Sequence, residues 1–393
     1  MIAASFLLFA AALSLYLIVG YPLILSRWRR FGPPIRKDHG FATTVSVVLA
    51  VYNGAQFLQR KLENILALDY PADLLDIVVV SDGSTDATVE IAQSFANLGV
   101  RLFVVPHGGK ASALNAAISG ATGNILLFVD VRQTLAPGAL KQLVANFADP
   151  TVGAVTGELR FMHSQRVGEA ADIDLYWRYE LWVRQQQSQI DSIFATTGCI
   201  YAMRRNLVRP IPPDTLCDDA MIPLQGFLAG YRIIFDPEAV AFDYGEIEGG
   251  EFRRKLRTLA GAWQVWVRLP QLFSRKNRML FHFLSQKLGR LLLPWLLLLG
   301  FVAVLLLPGG WMRQSLLILG LASVILALLD LLLPRNFFVR RISSPARSFF
   351  VLNLASLLSA AVFFVSPDRL WRLTRIKDTS STALGPEQPE HKS

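Results

Sequence analysis

Cysteine is scarce in this chain: 2 of 393 residues, Cys199 and Cys217. Two cysteines without a metal-ligand spacing exclude a disulfide scaffold and a zinc module, and they read as packing residues in a reducing compartment. Charge is scarce too, at 18% of residues against about a quarter in soluble domains. Apolar residues make up 52% and mean hydropathy is +0.38, which excludes an ordinary soluble enzyme. No Gly-x-Gly-x-x-Gly follows the first strand-like run and no P-loop is present, so dinucleotide-binding and ATPase readings are poor. There is no internal repeat.

The apolar excess lies at the ends. Residues 2–25 carry no charge and are long enough to cross a bilayer as a helix. No basic stretch precedes them and no small-residue cleavage site follows, so residues 1–26 read as an anchor. Arg27, Arg29 and Arg30 come next, and positive charge stays cytoplasmic. The middle of the chain is thus expected on the cytosolic side of a membrane. Three further apolar runs, at about 288–307, 311–333 and 348–366, predict about three helices over 288–366. Arg335, Arg340, Arg341 and Arg347 fit a cytoplasmic loop between the last two. Arg369, Arg372, Arg375 and Lys377 then fall on the outer side, against the same rule, so one run is a candidate re-entrant or interfacial segment. Asp330 fits either the end of its run or a polar contact inside the bundle. The net charge of +9 is placed around these spans, which points to a membrane surface and not to nucleic acid. Residues 246–287 read as interfacial, amphipathic helices, with 281–290 also open to that reading, and 367–393 as a polar tail.

The intervening stretch, 40–245, alternates. "TVSVVLAVYN", "DIVVVSDGS", "RLFVVP" and "NILLFVD" are apolar runs of the kind that form buried parallel strands. Helical stretches separate them: 55–68, one with Ser84 as N-cap, and "KASALNAAISGA". Strand–helix alternation implies right-handed crossovers, an α/β fold and a mostly parallel, Rossmann-like sheet with flanking helices. Ligands sit beyond the carboxyl ends of such strands. Those ends carry Tyr52-Asn53, Asp82-Gly83 and Asp130-Val131-Arg132, and Gly108-Gly109-Lys110 opens the third helix. Carboxylates, turn glycines and a lysine at a helix start suit a nucleotide diphosphate.

In order from Val45 to Val240, "VSVVLAVYNG", "DIVVVSDGSTDAT", "GGKASALNAAISGATGNILLFVD", "TTGCIYAMRR" and "LCDDAMIPLQGFLAGYRIIFDPEAV" resemble the family-2 glycosyltransferases, inverting enzymes of GT-A fold. With transmembrane helices at both ends, the chain looks like the membrane-embedded members that make cellulose or hyaluronan. The resemblance implies a donor pocket of Tyr52, Asn53, Asp82, Gly83, Lys110, Asp130 and Arg132. Asp219, the second residue of Asp218-Asp219, becomes the catalytic base. Thr197 and Gly198 face the acceptor, and Arg254 and Arg257 stand near the membrane interface. An inverting displacement needs one base for the acceptor hydroxyl and positive charge on the leaving diphosphate.

Two positions depart from the family pattern. Asp130 takes the place of the first Asp of Asp-x-Asp and is the one candidate metal ligand, but Arg132 stands where the second belongs, and arginine cannot bind Mg²⁺ or Mn²⁺. Dependence on a divalent cation is therefore expected to be weakened. Three readings stand: Asp130 still holds an ion, Arg132 itself neutralises the diphosphate, or Arg132 pairs with Asp130 or Asp218. The second departure is in the Gln-x-x-Arg-Trp motif of processive members. Arg257 matches its arginine, while Arg254 and Thr258 replace the glutamine and tryptophan; Trp263 and Gln264 are candidate substitutes.

The expectation is a membrane-anchored glycosyltransferase that moves a sugar from a nucleotide-sugar donor, a UDP-sugar foremost, to a lipid-linked or growing glycan acceptor, with partner subunits for export an open question. Two other classes compete: a nucleotide-sugar-binding membrane scaffold of a polysaccharide-synthesis complex, and a nucleotidyl- or phosphotransferase.

Overall fold

The structure is a computed structural model and describes residues 2–28, 34–162, 169–243, 251–334 and 337–366. Arg29, Arg30, Arg335 and the polar tail at 367–393 lie outside them.

Eight strands form one sheet: β1 (Val45–Val51), β2 (Leu75–Asp82), β3 (Val100–Val105), β4 (Ile125–Phe128), β5 (Thr134–Leu135), β6 (Val152–Phe161), β7 (Tyr201–Arg204) and β8 (Arg232–Asp243). Their order is β3-β2-β1-β4-β7-β6-β8-β5. The first four strands pair in parallel, as the alternation predicts. Beyond β4 the sheet is mixed: β7 runs antiparallel to both β4 and β6, β5 antiparallel to β8, and β6 parallel to β8. The expected mostly parallel sheet thus holds for its first half.

Strand periodicity divides the core between two faces. Val48, Val78, Val80 and Leu126 point one way, into the helices Lys110–Gly120 and Asp218–Leu228. Val47, Leu49, Val79 and Leu127 point the other way, into Ala55–Leu66 and Ala139–Ala145. Both faces are covered, which explains why these strands read as unbroken apolar runs.

The helices are α1 (Ile2–Arg27), α2 (Ala55–Leu66), α3 (Thr88–Ser94), α4 (Lys110–Gly120), α5 (Ala139–Ala145), α6 (Glu169–Ile190), α7 (Asp218–Leu228), α8 (Glu251–Arg268), α9 (Leu280–Leu305), α10 (Trp311–Leu329) and α11 (Arg340–Phe363). Ser84 does not cap α3, which starts four residues later. Asp86 accepts from the Thr88 amide instead, and it also accepts from the Ala55 amide at the start of α2. Ser84 staples the neighbouring loop by accepting from the Asn53 amide.

Among the described residues, α1, α9, α10 and α11 are long and apolar enough to cross a membrane. Residues 281–290 belong to α9 rather than to a separate interfacial helix. The last span begins at Arg340, a few residues before its apolar run. Asp330, just past α10, has a fully buried carboxylate that meets Arg340 at 3.2 Å, Arg347 at 3.4 Å and Ser343 Oγ at 2.8 Å. It is therefore both at the end of its run and inside a polar contact.

Polar groups tie the apolar helices to the sheet domain through α6. Gln187 Nε2 donates to the Tyr21 hydroxyl of α1 at 2.9 Å, and Glu180 meets Arg290 of α9 at 2.6 Å. Burial alone would raise the Glu180 carboxyl, yet Arg290 and Lys287 hold it well below the ordinary range. On the same helix, Trp177 and Trp182 are half-buried and Arg178 is exposed, as an amphipathic face requires.

Candidate active site

The carboxyl ends of β1, β2 and β4 open on one crevice, and the Gly108-Gly109-Lys110 turn runs across it. Asp82, at the end of β2, is buried. Its carboxylate accepts from the Gly108 amide at 2.8 Å and the Gly109 amide at 3.0 Å, with His107 Nδ1 at 3.0 Å. Tyr52, after β1, stacks on the His107 ring at 4.2 Å between centroids. Asn53 adopts φ +49° and its Oδ1 accepts from the Thr85 amide at 2.8 Å. Gly83 must be glycine: its φ is +64°, and a Cβ there would lie 2.7 Å from the His107 nitrogen. Asp82 thus shapes the turn that delivers Lys110.

Lys110 opens α4. Its Nζ lies 3.0 Å from Asp130 Oδ1 and 3.3 Å from Asp218 Oδ2. Burial disfavours its charge, but Asp130, Asp218 and Asp219 more than compensate and raise its pKa. Burial acts to raise Asp130, and Lys110 outweighs it, leaving that carboxyl lowered. Asp218 and Asp219 occupy the first turn of α7, whose N-cap is Cys217, so neither caps the helix with its side chain.

Asp219 is half-buried. Desolvation, then the adjacent Asp218 carboxylate, push its pKa up to about 6 against the pull of Lys110. That value suits a base working near neutral pH. The turn holding Thr197 and Gly198 is bolted to it. Thr196 donates to the Asp219 carbonyl from its amide at 2.9 Å and its hydroxyl at 2.7 Å. A Cβ on Gly198 would lie 3.5 Å from Asp219 Oδ2.

Residues 46–211 match the family model described as glycosyl transferase family 2. Over that stretch the chain is similar to the family-2 glycosyltransferases. Poly-beta-1,6-N-acetyl-D-glucosamine synthase of Staphylococcus epidermidis is 26% identical over 276 residues, covering 67% of this chain and 66% of the relative. The Staphylococcus aureus (strain COL) synthase is 27% identical over 278 residues, with coverage of 67% and 66%. The chain thus matches just under two thirds of the length of these relatives. A solved mannosyltransferase from Pyrobaculum calidifontis, in complex with GDP-Man and Mn²⁺, superposes with a TM-score of 0.73 at 24% identity, covering 91% of this chain and 98% of that one. That likeness is one of fold, and the fold is GT-A.

In the crevice, Lys110, Asp130, Asp218 and Asp219 converge, with Thr197 and Gly198 beside them. Tyr52, Asn53, Asp82 and Gly83 line the other side of the Gly108-Gly109-Lys110 turn. Arg132 pairs with neither Asp130 nor Asp218. Its Nη2 sits 2.6 Å from Asp243 Oδ2, at the end of β8, because β5 carries the loop after Asp130 across to pair with β8. Arg257, on α8, is close enough for its charge to act on Cys217, and Arg254 is half-buried one turn earlier. Both cysteines are buried and free. Trp263 is half-buried and engaged with α11: its Nε1 donates to Ser359 Oγ at 3.1 Å and its ring packs edge-on against Phe363. Gln264 holds the Leu216 amide and the Asp214 carbonyl.

The donor set does not fit an ion held by protein groups. One Asp130 oxygen is held by Lys110, the next motif position is a cation, and among the described residues no three His, Cys, Asp or Glu side chains are grouped to hold a metal.

Sequence reasoning missed Lys61, His107, Arg184 and Asp243. Lys61 is fully buried and donates to the Gln133 carbonyl at 2.9 Å; burial draws its pKa down to about 8. Its signal was legible, since it shares a helix face with Leu58, Leu62 and Ile65. Arg184 Nη1 donates to Thr197 Oγ1 at 2.8 Å, and its charge acts on Asp219. Nothing local in α6 announces that role.

Proposed function

We propose that this protein is a membrane-anchored inverting glycosyltransferase that uses a nucleotide-sugar donor and a glycan or lipid-linked acceptor at the cytosolic face of the plasma membrane. The observation that carries the reading is Asp219: a half-buried carboxyl, raised to about 6, beside Asp218 and across from Lys110 and Asp130. The donor's diphosphate lies over Lys110 at the start of α4, where helix N–H groups favour anions. The base and nucleotide sugar rest near Tyr52, His107 and Asp82. The acceptor hydroxyl enters on the Thr197–Gly198 side, gives its proton to Asp219, and attacks the anomeric carbon as the diphosphate departs.

The acceptor class draws on the relatives, which are poly-beta-1,6-N-acetyl-D-glucosamine synthases. The cytosolic placement draws on the arginines after α1 and around α11. Trp263 is committed to α11 and the family's tryptophan position is Thr258, which favours single transfer or a polymer path completed by partner subunits.

The test is a panel of UDP- and GDP-sugars with the purified chain in detergent, scored by release of free nucleoside diphosphate. Release with one donor, lost in Asp219→Asn, supports the reading. Release of pyrophosphate indicates a nucleotidyltransferase instead. A scaffold turns over no donor, and its Asp219→Asn variant keeps its cellular role.

A further inference from the structure

Three basic side chains surround the loop that carries Asp130. Lys110 touches Asp130 from the helix start at 3.0 Å. Lys61 lies fully buried beneath, bonded to the Gln133 carbonyl, with its charge acting on Asp130. Arg132 acts on Asp130 as well while its Nη2 clamps Asp243 at 2.6 Å. Asp243 Oδ2 also accepts from Gln133 Nε2 at 2.9 Å, so Arg132 and Gln133 tie the end of β4 to the end of β8.

A cation approaching Asp130 finds one carboxylate oxygen already held by Lys110 and stands against the charges of Lys110, Arg132 and Lys61, each repulsive in a partly desolvated site. An anion meets the opposite field. Arg132 has the means to hold one: guanidinium offers five N–H donors in a planar fork, and 30% of this side chain is open. Lys110, shared between two carboxylates, is likewise 30% open.

We propose that Arg132 and Lys110 together replace the metal of the Asp-x-Asp motif, binding the donor's diphosphate directly as fixed cations. Lys110 turns from Asp130 and Asp218 to the phosphates, while Asp243 holds the arginine in place. The proposal rests on the nucleotide-sugar reading above.

The experiment is calorimetric titration of the full-length protein in detergent with UDP and, separately, GDP, each in EDTA and in Mn²⁺. The wild type is expected to bind one of them with affinities within about threefold in the two conditions. Lys110→Met and Arg132→Met each weaken binding in EDTA by tenfold or more, on the order expected for a charge-assisted phosphate contact. Arg132→Asp binds poorly in EDTA and recovers with Mn²⁺. Because Arg132→Met takes the cation from a buried carboxylate, the double variant Arg132→Met/Asp243→Asn is included, its folding followed by thermal melting. Wild-type binding that is lost in EDTA and restored by Mn²⁺ overturns the proposal, as does a folded double variant with wild-type affinity. Absence of binding to either nucleotide in both conditions overturns the donor reading and the proposal with it.

Discussion

The same sheet carries a carboxylate network at each end, and the two are built on opposite principles. At the amino ends of β1 and β2, Asp76 receives Arg101 through two bonds at 2.8 and 2.7 Å, the Ser46 hydroxyl at 2.5 Å and the Thr122 hydroxyl at 3.0 Å. Ser46 Oγ in turn accepts from the Thr122 and Gly123 amides. Each acceptor there has its donors. At the carboxyl ends, Asp130, Asp218 and Asp219 crowd around one lysine, and polar atoms are left over. Among the described residues the Tyr201 hydroxyl is buried without a partner, and the charges acting on it are those of Asp218, Asp219 and Asp130. The matched end contributes stability. The mismatched end stores unmet electrostatic demand that a substrate can satisfy.

Breaking each end should give effects of different kinds. The largest is on turnover: Asp219→Asn is expected to slow nucleoside diphosphate release by about a thousandfold, the scale of a lost general base, with the fold intact by circular dichroism. Next comes Asp76→Ala, which removes the carboxylate that Arg101, Ser46 and Thr122 share and should lower unfolding free energy by about 2 kcal/mol in denaturant titrations while the turnover of folded protein is retained. A thousandfold loss at Asp76, or unfolding at Asp219, would erase the distinction between the ends.

The pH dependence has opposite signs at the two ends. Burial acts to raise Asp76, but Ser46 and Arg101 outweigh it and lower its pKa. Its contribution is complete above the ordinary carboxylate range and is lost as pH falls through the depressed value. Asp219 is raised to about 6, so the native state binds its proton more tightly than the unfolded chain does. Stability from this group therefore falls as pH rises from about 4 to about 6. Activity runs the other way and should fall below pH about 6 as the base is protonated. At pH 7.5, Asp219→Asn should stabilise the protein by about 1 kcal/mol, reduced from the full shift because the site is partly open to water; thermal melts at pH 5 and 7.5 check this. The smallest effect is Tyr201→Phe. Removing an unpartnered hydroxyl should leave stability unchanged or raise it by up to about 1 kcal/mol.

Local pattern made legible the parallel half of the sheet, the apolar helices and the gathering of Asp82 and Asp130 at strand ends with Lys110 at a helix start, because each depends on residues close in the chain; Asp219 came from the family resemblance alone. The start of α3 departs from the Ser84 expectation: the helix begins at Thr88, whose amide is taken by the Asp86 carboxylate, while Ser84 is turned to the Asn53 amide. For Arg132, pairing with Asp130 or Asp218 is one of three readings the sequence leaves open; the ion-pair partner it has in the fold, Asp243, lies 111 residues away.

By itself the sequence determined that apolar helices flank an α/β domain and that carboxylates and a lysine meet at strand ends, since periodicity and turn chemistry act over a few residues. The tertiary structure alone decided which charges pair. It gave Arg132 to Asp243, set Lys61 beneath Asp130, brought Arg184 to Thr197, and turned Trp263 toward α11. Those choices follow from the crossing of β5 to β8 and the packing of α6 and α8 against the spans, contacts between segments that no local pattern encodes.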